Sequence, residues 1–320
     1  MMRTVLCGVG AFLPQKVVTN DDLSLIVDTT DEWIFRRTGI RRRHIVAEDE
    51  TTVYMAVKAA VDALDASGVT ADTVDLIIVA TSTPDKTLPS CAAAVQGRLG
   101  CRRAMVFDLN AACSGFVYSL AVVDGLIRTG HAKVALLIGA EAMSKIVDWH
   151  DRSTCVLFGD GAGACVLRGE ETDNNAGIIS TLLGADGALS EVLSTDGGVA
   201  STGTAGKIRM SGTVLFEHAI LRQAASITEL LNMNSVSIDD IDWFIPHQAN
   251  IRIVESVAKR LGFPMEKIVL GIEDHANTSA ASIPLAMKSG LDRGDIRKGQ
   301  LVLLTSFGAG ITWGSSLIRL

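Results

Sequence analysis

The chain has 320 residues, 48% of them hydrophobic and 20% charged, with a formal charge of −7 at pH 7. That much apolar material excludes a disordered chain and supplies a large buried core, and the negative balance argues against general nucleic-acid binding. The six cysteines form no CxxC pair, which argues against a zinc site or a disulfide scaffold and fits a reduced, cytoplasmic protein.

In chain order, residues 4–13 are broken by Gly8 and Gly10 and run into Pro14, which reads as a strand and turn rather than an export signal. No apolar run reaches the length of a membrane span. Arg36, Arg37, Arg41, Arg42 and Arg43 then crowd together beside His44. They form either a solvated surface run or a site for a phosphorylated ligand, since guanidinium groups bind phosphate with two parallel hydrogen bonds. Beyond them, buried strands are expected at residues 74–80, 104–109, 134–139, 162–167, 243–245 and 301–305, with helices at 52–67, 92–99 and 114–127 between them. This alternation predicts an α/β fold with substantially parallel sheets.

The chain also repeats itself. TADTVDLIIVA at 70–80 is echoed by SIDDIDWFIPH at 237–247, and AVQGRLG at 94–100 by SVAKRLG at 256–262. IRTGHAKVALLIG at 127–139 resembles IRKGQLVLLTSFG at 296–308, and FGDGAGACVLR at 158–168 resembles FGAGITWGSSLIR at 307–319. Four matches in the same order indicate a duplication. The polar stretch at 170–175 places the boundary between halves 1–171 and 172–320.

Three residues stand out chemically. Cys113 follows a strand and small residues and precedes a helix, so its thiol is expected near a helix N-terminus, where amides favour a nucleophilic thiolate. Cys7 and Cys165 read as ordinary buried residues. His247 ends a strand, where sites on α/β sheets lie, and the repeat matches it to Ala80. Asn277, in HANTSAAS, falls 164 residues after Cys113 at the corresponding turn. An N-cap is the alternative for Asn277, and His275 is taken as structural. The SFGAG turn at 306–310 offers backbone N–H groups for an oxyanion, with the amides of Cys113 and Ala309 as donors.

At these residues the sequence resembles the β-ketoacyl-acyl carrier protein synthase III family, the initiating condensing enzymes of bacterial fatty acid synthesis. TGIRRRHI, FDLNAACSGF, FGDGAGA, PHQANIRI, HANTSAAS and FGAGITWGS carry the resemblance along the whole chain. It implies a thiolase-like fold, two duplicated halves in a five-layer αβαβα arrangement, a homodimer, and no cofactor beyond coenzyme A thioesters as substrates. It also implies the roles. Cys113 takes an acyl group from acyl-CoA, and His247 and Asn277 stabilise the enolate formed when malonyl-acyl carrier protein loses carbon dioxide. Trp33 and Arg152 correspond to the pair that sandwiches the adenine, Arg37 to a nearby phosphate or nucleotide contact, and Thr29 and Asn250 to the coenzyme A tunnel.

Gln248, Ala249, Asn250, Ile251 and Arg252 match the segment linked to carrier-protein binding. Lys259 and Arg260 share a helix face with Arg252, and a basic face suits an acidic carrier. The sequence departs from the family pattern at Glu217, where lysine is frequent, at Ser153, at Ala309 within a GGG turn, and at Leu88, which stands where an aromatic closes the acyl pocket. Three other readings use the same residues. One is a related thiolase-fold enzyme making a secondary metabolite or signal. Another is a non-catalytic thioester-binding protein. The third, a papain-like protease with the same Cys…His…Asn order, lacks the expected C-G-S-C-W motif.

Overall fold

The computed structural model describes residues 2–171 and 175–320; half of the expected boundary stretch, at 172–174, lies outside the described residues. The first half runs through β1 (Met2–Phe12), β2 (Lys16–Thr19), α1 (Asn20–Ser24), α2 (Asp31–Thr38), β3 (Arg42–Ile45), α3 (Thr52–Ser67), β4 (Leu76–Ala80), α4 (Cys91–Leu99), β5 (Met105–Leu109), α5 (Gly115–Arg128), β6 (Val134–Ala142), α6 (Arg152–Cys155) and β7 (Asp160–Glu171). The second runs through β8 (Gly177–Ala185), β9 (Leu193–Thr195), α7 (Val199–Thr202), β10 (Ile208–Met210), α8 (Gly212–Met233), β11 (Trp243–Pro246), α9 (Ile251–Leu261), α10 (Ile272–His275), α11 (Ser282–Asp292), β12 (Leu301–Gly308) and β13 (Thr312–Arg319). The 22-residue α8 is absent from the sequence expectations. Buried polar residues such as Gln223 and Ser226 interrupt its apolar stripe, so its core face does not read as one.

Alternation along the strands builds the layers, because successive side chains point to opposite faces of a sheet. In β4, Leu76 and Ile78 face one cluster with Phe116, Leu120 and Val123 of α5 and Ile283 and Met287 of α11. Ile77 and Val79 face a second cluster with Val53, Ala56 and Ala60 of α3 and Val95 of α4. The second sheet divides likewise. Val302 and Leu304 meet the α5/α11 layer, while Leu301 and Leu303 meet Ile227 and Leu230 of α8 and Val254 and Val257 of α9. The order is therefore α3/α4, sheet, α5/α11, sheet, α8/α9, which is the expected five-layer arrangement. Strands covered on both faces are continuously apolar, as Leu76–Ala80 shows.

The sheets have the same topology. The first is ordered β1-β7-β6-β4-β5 and the second β8-β13-β12-β11. In each, the pairings run antiparallel, antiparallel, parallel. The parallel β4–β5 pair has its counterpart in the single bridge between Phe244 and Ile268. The duplication reaches single residues: β1 carries a bulge between Leu6 and Gly8, and β8 skips Ile179 between Ile178 and Ser180 opposite Ile318 and Leu317. Such extra residues are built features rather than defects.

One match from the sequence is corrected. The amide of Asp75 donates to Val134 O, and that of Asp242 to Leu301 O, so β4/β11 and β6/β12 share an offset of 167 residues. The helix ends obey an offset of 164. His131 and Ala132 donate to Leu126 O after α5, and Asp295 and Ile296 donate to Gly290 O after α11. The partner of Gly130 (φ 77°) is thus Gly294 (φ 75°), not Gly299. Aligning IRTG with IRKG slid the match, because the second half inserts residues between helix and strand.

Candidate active site

Cys113 and Asn277 occupy corresponding turns ahead of the two central helices. The residue before each is an alanine with positive φ, Ala112 at 48° and Ala276 at 57°. L-residues other than Asn and Asp rarely adopt this region, and such strain gathers at functional sites. Ser279 (φ 51°) and Ile311 (φ 48°), in the neighbouring turns, share the feature.

Cys113 lies in a 3-10 turn, Ala112–Ser114, directly before α5, and is 6% exposed. Gly115 admits this packing, since a Cβ there would stand 3.2 Å from that of Ala80. The expectation of a resting thiolate is corrected. Burial pushes the Cys113 thiol up to about 12, and the charge of Glu141 acts in the same direction, while a hydrogen bond with the Ser279 side chain opposes them. A helix terminus contributes only ~0.3–1 kcal/mol, too little to offset the loss of water around the sulfur. The thiol therefore holds its proton at neutral pH, and attack requires a proton acceptor.

His247 continues from β11, its amide donating to Thr305 O at 2.7 Å. Both ring nitrogens are buried and make no hydrogen bond. Burial pulls its pKa down to about 4, so the imidazole is neutral and presents one N–H donor. Asn277 is locked between halves: its amide donates to Leu157 O at 2.9 Å and its carbonyl accepts from Gly159 at 3.0 Å. The Asn277 Oδ1 accepts from the Ser279 amide at 2.9 Å, which leaves the side-chain NH2 as a donor. Asn277 is not an N-cap of α11, whose N-cap is Ala281.

The thiol, the imidazole and the amide line one cavity of about 480 Å³. Gly308, at the end of β12, also lines it; a Cβ on Gly308 would sit 2.8 Å from the Cys113 nitrogen. The expected oxyanion partner Ala309 follows directly but does not line the cavity. The positive φ of this turn belongs to Gly310 (73°) and Ile311, so alanine at 309 meets no backbone strain.

At the mouth, Trp33 has two arginines on its ring, Arg37 at 4.4 Å and Arg152 at 4.9 Å from the ring centroid. Cation–π geometry of this kind pre-positions the guanidinium groups. Arg152 also donates to Asp28 O at 2.7 Å, and the neighbouring Ser153 hydroxyl is held by Asp151 at 2.7 Å. Asn250 lines the cavity and caps α9. Thr29 does not line it, although its buried hydroxyl has no partner. The basic stretch is divided. Arg41 pairs with Asp31 and Glu273, Arg42 pairs with Asp274, and Arg43 is fully buried against Asn20 and the carbonyls of Val18 and Val156. Among the described residues, Arg36 and Arg37 are left for a ligand; both line a depression beside the mouth.

The segment expected to meet a carrier protein is divided as well. Gln248 is 2% exposed and its amide is consumed by Val269 O and the Gly271 nitrogen, so its side chain cannot reach a docked partner. Ile251 packs on Gly39, where a Cβ would fall 2.7 Å from its own. Ala249 and Arg252 line the cavity, with Arg252 over the Phe216 ring at 5.8 Å. Lys259 and Arg260 are exposed farther along α9, as is Glu217 on α8. Leu88 is 82% exposed and does not line this chain's cavity. The sequence reading named the SFGAG turn without singling out Gly308, and it missed Ser279 and Glu141. A lone carboxylate inside the apolar run VALLIGAEA was the available signal for Glu141.

Two family models match, described as 3-oxoacyl-[acyl-carrier-protein (ACP)] synthase III over residues 107–187 and its C-terminal part over 231–320. The chain is 63% identical to the beta-ketoacyl-[acyl-carrier-protein] synthase III of Anaplasma marginale and 52% identical to that of Paramagnetospirillum magneticum, each over 100% of both chains. The crystal structure of 3-oxoacyl-[acyl-carrier-protein] synthase III from Aquifex aeolicus superposes with a TM-score of 0.94 at 45% identity, covering 99% of this chain and 100% of that one. A priming β-ketosynthase of the R1128 polyketide pathway superposes with the same TM-score at 33% identity, covering 99% of this chain and 96% of that one.

Proposed function

We propose a division of labour among these residues, on the premise that the chain belongs to the 3-oxoacyl-[acyl-carrier-protein] synthase III family. It is an acyltransferase that condenses an acyl-CoA with malonyl-acyl carrier protein, giving 3-oxoacyl-acyl carrier protein, CoA and CO2 at the start of fatty acid synthesis. The higher identity to fatty-acid enzymes than to the polyketide priming enzyme supports this pathway. In our assignment Cys113 is the acyl acceptor. The coenzyme A nucleotide lies at Trp33, Arg37 and Arg152, with Thr29 and Asn250 along the approach. The Cys113 amide and the turn at 308–309 receive the oxyanion of acyl transfer.

His247 and Asn277 then act on the malonyl group. Each offers a donor from a buried, water-poor wall, where a hydrogen bond to a developing enolate oxygen is strong. Neither need transfer a proton, which suits an imidazole held neutral. One observation carries the reading: a thiol, a neutral imidazole and an oriented amide open into a single cavity whose mouth is a tryptophan between two arginines.

The carrier-docking surface is assigned to Arg252, Lys259 and Arg260, with Ala249 and Ile251 shaping its edge. No cofactor enters this scheme. We also assign halves 1–171 and 172–320, a cytoplasmic setting in keeping with six free cysteines, and a homodimer. The last rests on β5, the sheet-edge strand with Met105 41% exposed, since an open apolar edge invites pairing with a second chain. Intact-protein mass after mixing with acyl-CoA tests the core assignment. An acyl-sized gain that disappears in Cys113→Ala is required; a gain that persists there would sink it.

A further inference from the structure

Glu141 is a buried carboxylate that the scheme above leaves without a role. It lies near the end of β6 with no exposed surface. No cation pairs with it among the described residues, and an unpaired buried charge opposes folding unless hydrogen bonds offset it. The Ser82 amide lies 3.1 Å from both carboxylate oxygens, the Thr81 and Thr83 hydroxyls at 3.3 and 2.6 Å, and the Ser279 hydroxyl at 3.0 Å. The backbone fixes the direction of two of these bonds. The Thr81 oxygen already accepts from the Thr83 amide at 3.1 Å, and the Thr83 oxygen from the Ala142 amide at 2.8 Å. Each therefore turns its proton toward Glu141.

Two of these donors lead on to the reacting residues. The Ser279 amide donates to Asn277 Oδ1 at 2.9 Å. Ser82 leads the other way: its hydroxyl donates to Asn110 Oδ1 at 3.2 Å, and the same oxygen accepts from the Ala112 amide at 3.1 Å, directly before Cys113. Ala112 and Ser279 both have positive φ, 48° and 51°, and such backbones persist only where their surroundings over-determine them. Glu141, Ser82 and Asn110 stand at the ends of the neighbouring strands β6, β4 and β5. Ser279 arrives from the other half of the chain, 138 positions away. Its turn is pressed onto β6 at Gly139, where a Cβ would stand 2.3 Å from Ala280 O.

We propose that Glu141 is a positioning residue that sets the Cys113 turn and the Asn277 carboxamide relative to each other. One branch, through Ser279, fixes where Asn277 points its NH2. The other, through Ser82 and Asn110, fixes the Ala112 backbone and with it the Cys113 amide. The two turns belong to different halves of the chain, so neither half can set their separation alone. A carboxylate suits this place because it only accepts, and several donors can converge on its two oxygens without competing. Glu141 acts through these neighbours and takes no part in bond making. The inference rests on the roles assigned above to Cys113 in acyl transfer and to Asn277 in decarboxylation.

The test separates the two half-reactions in Glu141→Gln, Ser279→Ala and Asn110→Ala. Acylation by acyl-CoA is followed by quenched-flow mass measurement, and decarboxylation by CO2 release from malonyl-acyl carrier protein without an acyl donor. Both are expressed per acylatable site. Burial pushes the Glu141 carboxyl up to about 7, so the assays run at pH 8.5, where it is ionised. Glu141→Gln puts an NH2 among donors and should slow both steps ~100-fold, the scale of a catalytic group displaced by about 1 Å, with KM for acyl-CoA within about twofold of wild type. Ser279→Ala should slow decarboxylation about tenfold more than acylation, the upper range for one lost hydrogen bond. Asn110→Ala should show the reverse bias. A merely structural Glu141 would lower the number of acylatable sites and leave the rates per site alone. Wild-type rates per site in Glu141→Gln overturn the proposal. Equal slowing of both steps in Ser279→Ala and in Asn110→Ala also overturns it, and decides the matter should Glu141→Gln not fold. An acyl adduct absent from the wild type would instead overturn the assignment of Cys113.

Discussion

Gly308 lies against Cys113 so closely that a Cβ built on it would fall 2.8 Å from the Cys113 nitrogen and 3.2 Å from its Cα. Both residues line the cavity, and the scheme proposed above has their turns receive the acyl oxygen. Gly308→Ala is expected to push the two backbones apart. Acylation should drop on the order of 100-fold, the usual effect of losing an oxyanion donor, while thermal stability changes little if the turn yields. Burst amplitudes measured beside melting curves check this. An unimpaired burst would show that the oxyanion is received elsewhere.

The Trp33 stack addresses binding rather than chemistry. Trp33→Ala removes the ring that carries Arg37 and Arg152. Stacking a base on an aromatic ring is worth ~1–3 kcal/mol, and an exposed cation–π contact ~0.5–1 kcal/mol. KM for acyl-CoA should therefore rise about tenfold or more with kcat nearly constant, the pattern of a uniform binding loss. A fall in kcat at saturating acyl-CoA would instead place Trp33 nearer the reacting atoms.

His247 and His275 are both held near 4 by burial. Because these folded-state values lie below the unfolded histidine value, only the unfolded chain takes up their protons between pH 6.5 and 4. Stability should thus fall as pH drops through that window, by ~1.4 kcal/mol per pH unit for each histidine. Urea midpoints at pH 7 and pH 5 should lie closer together in His275→Gln than in the wild type. An unchanged gap would mean that other groups carry the acid sensitivity.

Glu217 is an exposed acid on α8, adjacent to Phe216, over which Arg252 lies. Its charge opposes an acidic partner brought to Arg252, Lys259 and Arg260. Glu217→Lys should lower KM for malonyl-acyl carrier protein severalfold at low salt and less at high salt. Arg252→Ala should raise it, with acyl-CoA kinetics of the first step unchanged. Equal effects on malonyl-CoA, which lacks the carrier, would show that no docking surface had been altered.

Much of this was legible in the sequence, and for local reasons. Apolar runs such as residues 76–80 announce strands covered on both faces. Small residues before a helix announce tight turns, and an ordered set of echoes announces a duplication. Cys113, His247 and Asn277 could be singled out because each breaks such a pattern at an element's end. The register of the repeat was less secure: IRTG and IRKG look alike, but the backbone hydrogen bonds around Gly130 and Gly294 align differently.

The tertiary structure alone decided what depends on partners distant in the chain. A terminus of α5 suggests a thiolate at Cys113, yet desolvation by both halves keeps the proton on it. Five clustered arginines look equivalent until Glu273 and Asp274, far along the chain, take two of them and the core takes a third. Gln248 reads as surface until Val269 and Gly271 close over it. Periodicity reports which face of an element is buried. Charge state and contact depend on what covers that face, and Ser279 reaches Glu141, 138 positions away in sequence, only once the chain has folded.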